Sequence, residues 1–395
     1  MMTPPAGSLF VKKGTVKTTN VLGIIAEYNP FHNGHRYQLA TAKRLTGADV
    51  SIAVMSGNWV QRGEPALLDK WQRTELALQN GLDLVVELPF SMAVQPAHLF
   101  ASGAVNMLSL LGCDTLAFGA EHPDMDFSTL AANRPASQTA HFKQFDETYP
   151  TLFNDYLQQQ TGIDLRASND ILGFTYVAAN QQLQSPMTIL PIQRLASDHR
   201  SDALGDSSIA SGAAIRKALT EAQWPAVAQV VPQQTLTALR TQQTVTWDAF
   251  WPLLRYQLLA QSIEQLQRIY QMSEGIEYRL KQAALEANDF QDFLRRAKTK
   301  RFTYSRLQRL CVYVLLQVTT AVPNTLTRYC RILGFSQTGQ QYLNRIKKTL
   351  PVPVVTKVTD DWINGPYFLD YQAGLLRQMI TGRDQDRLQH PVILR

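Results

Sequence analysis

The spacing of apolar positions changes along the first 235 residues between a strand period and a helix period. Short apolar or β-branched runs at 21–26, 50–55, 84–88, 115–118 and 187–192 predict buried strands. Between them, residues 35–46, 70–79, 98–111 and 171–181 place apolar side chains at helical spacing. Strands that alternate with helices predict a parallel sheet covered on both faces. We therefore expect an α/β domain in this half of the chain.

After about residue 240 the pattern becomes helical. Residues 247–268, 275–287, 304–318 and 339–347 each have helix periodicity, and a proline-rich stretch at 350–353 precedes a last helical piece at 367–380. We predict three parts from these changes. They are an N-terminal extension at 1–20, an α/β domain at 21–238 and a mainly α-helical domain at 239–395.

Cysteine use and the apolar runs indicate a cytoplasmic protein. Cys113, Cys311 and Cys330 lie in apolar contexts without metal spacing, which favours buried free thiols in a reducing compartment. No apolar run is long enough to span a bilayer. The first 20 residues carry three lysines but no apolar core of signal-peptide length, so we expect neither targeting nor a membrane partner.

Charge is distributed unevenly in this chain. The whole chain has a formal net charge of +6, yet residues 293–359 contain thirteen Lys and Arg and no Asp or Glu. Such asymmetry is typical of a surface that binds a polyanion, and nucleic acid is favoured over a membrane surface or a solvated basic face without a partner. The candidate RNA contacts are Lys300, Arg301, Arg306, Arg309, Lys347 and Lys348.

The turn after the first predicted strand has the composition of a phosphate site. It contains Asn29-Pro30 and Asn33-Gly34 and leads into a helix, whose free N–H groups and dipole attract an anion. His32 and His35 add side-chain donors, and Gly34 leaves room for close approach of the backbone. A surface turn or a partial metal site is the alternative. No third ligand lies nearby, so we predict no protein-bound zinc.

A second anion signal is the segment from Ile209 to Arg216. Ser208 or Ser211 can cap a helix there, and Arg216 lies about one turn inside, within reach of β- and γ-phosphate oxygens. Simple capping with surface charges is the alternative for this segment taken alone. No cluster of carboxylates accompanies these motifs, so any Mg²⁺ is expected to be carried by the triphosphate.

Several motifs together resemble a known enzyme family. They are 27–36, 54–57, 61–65, 70–71, 87–89, 168–173, 209–216, 300–309 and 333–335. The H-x-G-H turn and the 209–216 element are similar to those of H-x-G-H (HIGH-type) nucleotidyltransferases, and the full set resembles the bacterial tRNA(Met) cytidine acetate ligases within that superfamily. The resemblance covers about residues 21–395. Ala210 and Gly212 depart from it, because family members often carry hydroxyl residues there.

The resemblance implies a Rossmann-like nucleotidyltransferase domain and a two-step reaction. Acetate would attack the α-phosphate of ATP to give acetyl-adenylate, and the wobble cytidine of elongator tRNA(Met) would then accept the acetyl group on N4. His32, His35 and Arg216 are the expected catalytic residues. The residues expected to bind ATP are Ile25, Ala26, Glu27, Tyr28, Asn29, Pro30, Phe31, His32, Asn33, Gly34, His35, Arg36, Tyr37, Gln38, Gly119, Asn169 and Arg194.

Two other functions fit parts of the sequence. An adenylyltransferase of a small metabolite in coenzyme biosynthesis would share the H-x-G-H cleft, but it gives the basic helical domain no role. A non-catalytic, nucleotide-regulated RNA-binding protein would use the basic domain, but it does not need His32, His35 and Arg216. The aromatics Phe302 and Tyr304, among basic residues, fit base stacking and core packing equally well.

Overall fold

The computed structural model of the protein describes residues 19–133, 149–195, 208–319 and 328–395. Nearly all of the predicted extension at 1–20 lies outside these ranges. Within them, no helix is long and apolar enough to cross a membrane. All three cysteines are buried free thiols, as the sequence predicts.

One sheet organises the described part of the chain. Its strands are β1 (Val21–Ala26), β2 (Val50–Ser56), β3 (Leu84–Leu88), β4 (Thr115–Ala120), β5 (Thr188–Gln193), β6 (Cys330–Phe335), β7 (Val354–Val355) and β8 (Val392–Ile393). The order across the sheet is β5-β4-β1-β2-β3-β6-β7, and β8 pairs with β6. Strands β1 to β5 are all parallel. The predicted parallel sheet is therefore confirmed.

Helices cover both faces of the sheet and form a separate bundle. The first ten are α1 (Asn33–Thr46), α2 (Lys70–Gln79), α3 (Phe90–Ala93), α4 (Ala97–Leu110), α5 (Phe127–Ala132), α6 (Tyr149–Thr161), α7 (Ser168–Asn180), α8 (Gly212–Thr220), α9 (Trp224–Val230) and α10 (Gln233–Thr241). The others are α11 (Trp247–Ala260), α12 (Ile263–Gln267), α13 (Ile276–Glu286), α14 (Phe290–Ala297), α15 (Tyr304–Leu315), α16 (Gln337–Ile346), α17 (Asp360–Ile363) and α18 (Phe368–Thr381).

Local sequence explains where many of these elements begin. The Asp69 carboxylate accepts hydrogen bonds from the backbone N–H groups of Trp71 and Gln72 at the start of α2. Ser262 caps α12 in the same way, so the single helix predicted over 247–268 is two helices. Strands β2 and β3 are buried along their whole length, as expected for parallel strands with helices on both faces.

The C-terminal region departs from the predicted division into an α/β domain and a separate helical domain. It is helical from α11 to α15, but β6 then runs antiparallel to β3 and extends the first sheet. Every residue of β6 is buried, because the strand lies inside the sheet rather than at its edge. The 239–395 part remains mainly helical, but β6, β7 and β8 belong to the sheet of the α/β domain, whereas Ala373 and Leu376 of α18 pack in the core of the bundle.

The bundle of α11 to α15 packs against the loop that follows β2. Trp59 of that loop lies in the same apolar core as Trp247 and Phe250 of α11, with ring centroids 5.1 and 4.9 Å away. The Trp247 indole N–H also donates to the Gly63 carbonyl at 3.1 Å. The loop at 57–65 is therefore held between the sheet and the bundle.

Candidate active site

A cavity of about 390 Å³ opens at the carboxyl edge of the parallel strands. Ligands of open α/β sheets bind at this edge, and the volume is in the usual range for small-molecule sites. Of the residues expected to bind ATP, the cavity is lined by Ile25, Ala26, Glu27, Tyr28, Asn29, His32, His35, Gln38, Gly119, Asn169 and Arg194. Arg216 lines it as well, so predicted residues from five separate chain segments converge there.

The remaining residues expected to bind ATP lie elsewhere. Gly34 and Tyr37 line a smaller adjoining space of about 30 Å³. Pro30 and Phe31 are buried in the turn, and the Arg36 side chain is exposed to solvent. The Asn33 amide donates to the carbonyls of Ser208 and Gln229, at 2.9 and 3.0 Å. Pro30, Phe31, Asn33 and Arg36 line neither space, because successive residues of a turn or helix point in different directions.

The turn that carries the histidines is held by buried hydrogen bonds. The Arg73 guanidinium, which is fully buried, donates to the carbonyls of Glu27, Ser56 and Gly57 at the ends of β1 and β2. Tyr28 has φ of 48°, a left-handed conformation that is costly for a non-glycine residue. Strain of this kind persists where surrounding structure enforces it, commonly at functional sites.

His32 and His35 are stacked on each other at the start of α1. Their ring centroids are 3.6 Å apart. The backbone N–H of His32 donates to Nδ1 of His35 at 3.3 Å, which assigns the proton of a neutral His35 ring to Nε2. Nε2–H of His35 is then available as a donor at the cavity.

Both histidines are neutral at physiological pH in the free protein. Burial is the main cause that lowers the pKa of His32 to about 3, and the nearby charges of Arg194 and Arg216 contribute to this shift. Burial, His32 and Arg194 hold the pKa of His35 well below its ordinary value. The two rings can therefore bind an anion as uncharged N–H donors rather than as fixed cations.

Gly34 makes room for the His32 ring. A Cβ at this position would lie 2.9 Å from Cε1 and 3.0 Å from Nδ1 of His32. The sequence predicts that Gly34 admits a phosphate, but in this structure the crowding atoms belong to the imidazole. The glycine of the H-x-G-H motif thus sets the position of the first histidine.

Arg216 enters the cavity from α8. Ser211 caps this helix by accepting from the Ala214 N–H at 3.1 Å, in agreement with the predicted capping role. The guanidinium donates to the Asn29 carbonyl at 2.9 Å and to the Glu64 carboxylate at 2.6 Å. These two bonds aim the side chain across the cleft and leave its other N–H groups free to donate to phosphate oxygens.

Gly119, Asn169 and Arg194 meet on the opposite side of the cleft. A Cβ at Gly119 would lie 3.3 Å from Cγ of Arg194, so this glycine lets the arginine pass over the end of β4. The Asn169 amide donates to the Glu121 carboxylate at 2.6 Å, and Arg194 lies 3.5 Å from the Asn169 oxygen. Burial lowers the pKa of Arg194. A guanidinium nevertheless stays charged in proteins, so Arg194 is a cation at this side of the cleft.

Other lining residues are absent from the predicted set. Gln61, Arg62 and Glu64 come from the loop after β2. Phe100 and Tyr176 come from α4 and α7. The spacing of 169, 172 and 176 places three side chains on one face of α7, and this periodicity could have identified Tyr176. Phe100 carried no comparable signal.

Within the described residues, no group of three or more His, Cys, Asp or Glu side chains could hold a metal ion. Glu27 is the carboxylate at the base of the cleft, and its Oε1 accepts from the Gln61 N–H at 2.7 Å. Burial raises the pKa of Glu27.

The predicted RNA-binding residues fall into three places. Lys300 and Arg301 are exposed and, with the half-buried Arg306, precede or begin α15. Arg306 lies over the Phe302 ring at 4.0 Å, and Phe302 is buried in the core of the bundle, whereas Tyr304 is 50% exposed. Phe302 is therefore a core residue, and the exposed Tyr304 is the one available for stacking.

Arg309 and the pair Lys347 and Lys348 lie apart from that group. Arg309 is only 8% exposed, so it does not form part of the basic surface, and its backbone packs against Gly63. Lys347 and Lys348 follow α16, whose Ser336 cap bonds to Asp83 at the amino edge of the sheet. They are exposed. Arg345, near the end of α16, donates to the Thr19 hydroxyl just before β1 at 2.9 Å, which places this end of the helix at the edge opposite the cleft.

Sequence comparison identifies relatives along almost the whole chain. The family model described as HIGH Nucleotidyl Transferase matches residues 19–390. A protein of Levilactobacillus brevis named tRNA(Met) cytidine acetate ligase is 51% identical over 376 residues, which are 95% of this chain and 98% of the relative. A protein of the same name from Lactiplantibacillus plantarum is 49% identical over 94% of this chain and 97% of its own length.

Structure comparison gives the same result. The apo crystal structure of Thermotoga maritima TmcAL matches with a TM-score of 0.85 and 30% identity, over 95% of this chain and 100% of the other. The same Thermotoga maritima protein bound with alpha-thio ATP matches with a TM-score of 0.83 and 31% identity over the same shares. The fold predicted from the sequence is thus shared along nearly the whole length with a protein crystallised with an ATP analogue.

Proposed function

The chain belongs to the tRNA(Met) cytidine acetate ligase family, a family of ligases, and we propose that it acetylates the wobble cytidine of elongator tRNA(Met) in two steps. In the first step, a carboxylate oxygen of acetate attacks the α-phosphorus of ATP, and the bond to pyrophosphate breaks. In the second, the N4 amine attacks the acetyl carbon, the bond to AMP breaks, and the amine loses a proton. The products are N4-acetylcytidine and AMP. ATP and tRNA are cytoplasmic substrates, so we place the enzyme in the cytoplasm.

The observation that carries the first step is the convergence of donors in the cleft. His32, His35 and Arg216 line one cavity, with Arg194 on its other side. A carboxylate is already a nucleophile at pH 7, so the step needs no general base. It needs positioned donors that stabilise the charge developing on the α-phosphate and on pyrophosphate.

We assign these donors by their surroundings. Neutral His32 and His35 donate N–H groups to the α-phosphate, near the helix N-terminus that also attracts it. Arg216, fixed by Asn29 and Glu64, holds the departing pyrophosphate. Each donor of this kind contributes about 2.7–4 kcal/mol to lowering the barrier in comparable oxyanion sites.

Magnesium fits this cleft as a companion of the triphosphate. Mg²⁺ keeps several water ligands and commonly binds through phosphate oxygens with one or two carboxylates. Glu27 and Glu64 are the carboxylates that line this cavity. The two carboxylates would hold the ion through its water ligands, and the phosphate oxygens would bind it directly.

The first step can be tested without RNA. Exchange of labelled pyrophosphate into ATP should require acetate, because only adenylate formation makes the pyrophosphate bond reversible. Formate and propionate serve as matched acids of smaller and larger size. Exchange that proceeds equally without any carboxylic acid would contradict the proposal, and exchange driven by a phosphorylated metabolite would support an adenylyltransferase instead.

A further inference from the structure

A second cavity of about 420 Å³ adjoins the cleft on the side of the helical bundle. Arg62 and Glu64 line both cavities, so the two spaces meet at these side chains. The other wall of the second cavity comes from α14 and the first turns of α15, including Arg295 and Tyr304. We call this space the acceptor groove.

The walls of the acceptor groove are fixed relative to each other. Gly63 has φ of 78°, and a Cβ there would lie 2.5 Å from the Arg309 backbone nitrogen, so the loop is in direct contact with α15. The Val60 backbone N–H donates to the Glu64 carbonyl at 3.0 Å across the loop. Together with the Trp247 bond to Gly63, these contacts keep Glu64 at the junction with the cleft.

The chemistry of the groove suits a single-stranded nucleotide. Tyr304 is half exposed, and the Lys298 ammonium lies 5.6 Å from its ring centroid. Arg295, whose side chain is 75% exposed, bonds to Asp292 at 2.6 Å through one of its five N–H donors. An aromatic face beside cations is the usual platform for an unstacked base and its phosphate.

The carboxylate at the junction fits an amino-bearing base. Glu64 already accepts from Arg216 through Oε2, and a carboxylate has further acceptor sites. Cytosine offers an N4 amine to such an acceptor, whereas uracil offers a carbonyl oxygen at the same position. Since the groove opens into the cleft at Glu64, a base lying along it brings its amine toward the site of adenylate formation.

From this geometry we propose that the acceptor groove binds the cytidine to be acetylated together with its neighbouring nucleotide. Tyr304 stacks on a base, Arg295 and Lys298 contact backbone phosphates, and Glu64 faces the N4 amine. This proposal rests on the proposed function, because it supplies the route of the second substrate. It assigns the groove to RNA rather than to ATP.

The test separates the two half-reactions in Tyr304→Ala, Tyr304→Phe and Arg295→Ala proteins. Acetate-dependent pyrophosphate exchange without RNA should stay within two-fold of the parent protein, since none of these residues lines the ATP cleft. Acetyl transfer to elongator tRNA(Met) should fall about 5- to 150-fold in kcat/KM for Tyr304→Ala, the range of one lost base stack. Tyr304→Phe keeps the ring and should keep transfer.

The matched control is Tyr278→Ala, which removes a tyrosine that is 59% exposed on α13 and does not line the groove. If Tyr304→Ala transfers acetyl groups as well as Tyr278→Ala, the acceptor groove is overturned while the proposed function stands. If the parent protein exchanges pyrophosphate but acetylates no RNA, the transfer step of the proposed function fails, and the groove proposal fails with it. Loss of exchange in Tyr304→Ala would also count against the groove, because the residue would then act on ATP.

Discussion

Replacing Gly34 by alanine should impair catalysis by moving one imidazole rather than by weakening the fold. The added Cβ would lie 2.9 and 3.0 Å from two atoms of the His32 ring, whereas ordinary contacts begin at 3.4 Å. The ring must therefore shift by about half an ångström. It cannot move freely, because the His35 ring is stacked on it at 3.6 Å.

The size of the effect follows from this displacement. A misplacement of about 1 Å in a reacting group costs about 10²-fold in rate, so we expect Gly34→Ala to lower acetate-dependent pyrophosphate exchange about 10- to 100-fold. Complete loss of the His32 donor, in His32→Ala, should cost about 10²- to 10³-fold. Stability should not fall, because alanine is the better helix former.

A double-mutant cycle separates the ring clash from a clash with phosphate. If Gly34 serves the His32 ring, the double variant His32→Ala/Gly34→Ala should be no slower than His32→Ala, because the crowded atoms are gone. Pyrophosphate-exchange rates and thermal melts of the parent protein, the two single variants and the double variant are sufficient to decide between the two clashes. A further ten-fold loss in the double variant would refute the reasoning and would restore the phosphate as the group that Gly34 admits.

Three further substitutions test the buried histidine, the basic surface and a buried lysine. In the folded protein the pKa of His32 is lowered to about 3, so the stability contributed by its neutral ring is complete above pH 6.5 and is lost as the pH falls toward 3. His32→Asn should therefore flatten the decline of the urea midpoint between pH 6.5 and 4.5. Parallel curves for the variant and the parent protein would argue against a buried neutral ring. Charge reversal at Lys300 and Arg301 should weaken tRNA binding and reduce the slope of log affinity against log salt by about 0.7 to 0.9 per lost phosphate contact. The same reversal at Lys347 and Lys348, on the opposite edge, should have a smaller effect. Equal effects of the two reversals would refute an RNA-binding surface centred on the bundle. Lys70→Met should lower the free energy of unfolding by about 3–5 kcal/mol, because the Lys70 ammonium is buried between the carboxylates of Glu87 and Asp386, at 2.8 and 2.6 Å. An unchanged denaturation midpoint would show that the two carboxylates do not need the lysine as a partner.

The sequence predicts the parallel sheet well because its signals are local. Strand β1 and helix α2 have the bounds that the apolar pattern indicates, since a fully apolar run and an aspartate cap each act within a few residues. Ser211 at the start of α8 is a further example. The convergence of 25–38, 119, 169, 194 and 216 also follows, because strands of one parallel sheet end at a common edge.

Features that depend on distant parts of the chain were not predictable in the same way. The return of β6 to the sheet places Arg331 opposite Glu87, a contact that no local periodicity encodes. In the sequence Arg309 is one basic residue among many, and no local pattern distinguishes it as the buried one. The role of Gly34 required the ring orientation of His32, which a sequence pattern does not contain.

The basic segment shows the same limit at a larger scale. Its charge correctly marks the region as unusual, but Arg331 is fully buried, and the exposed members lie at two edges of the molecule. Arg295 and Arg296 bond to Asp292, the acidic residue just before the segment. Linear charge asymmetry therefore overstates the continuous basic surface that folding produces.

The most direct test of the central claim is to incubate the protein with ATP, ¹³C-labelled acetate and total bacterial tRNA, digest the RNA to nucleosides and find the label by mass spectrometry. The account predicts labelled N4-acetylcytidine confined to elongator tRNA(Met), with one AMP and one pyrophosphate formed for each acetyl group, and none in the His35→Ala protein. Label in a small metabolite, or consumption of ATP with no labelled nucleoside, would contradict it.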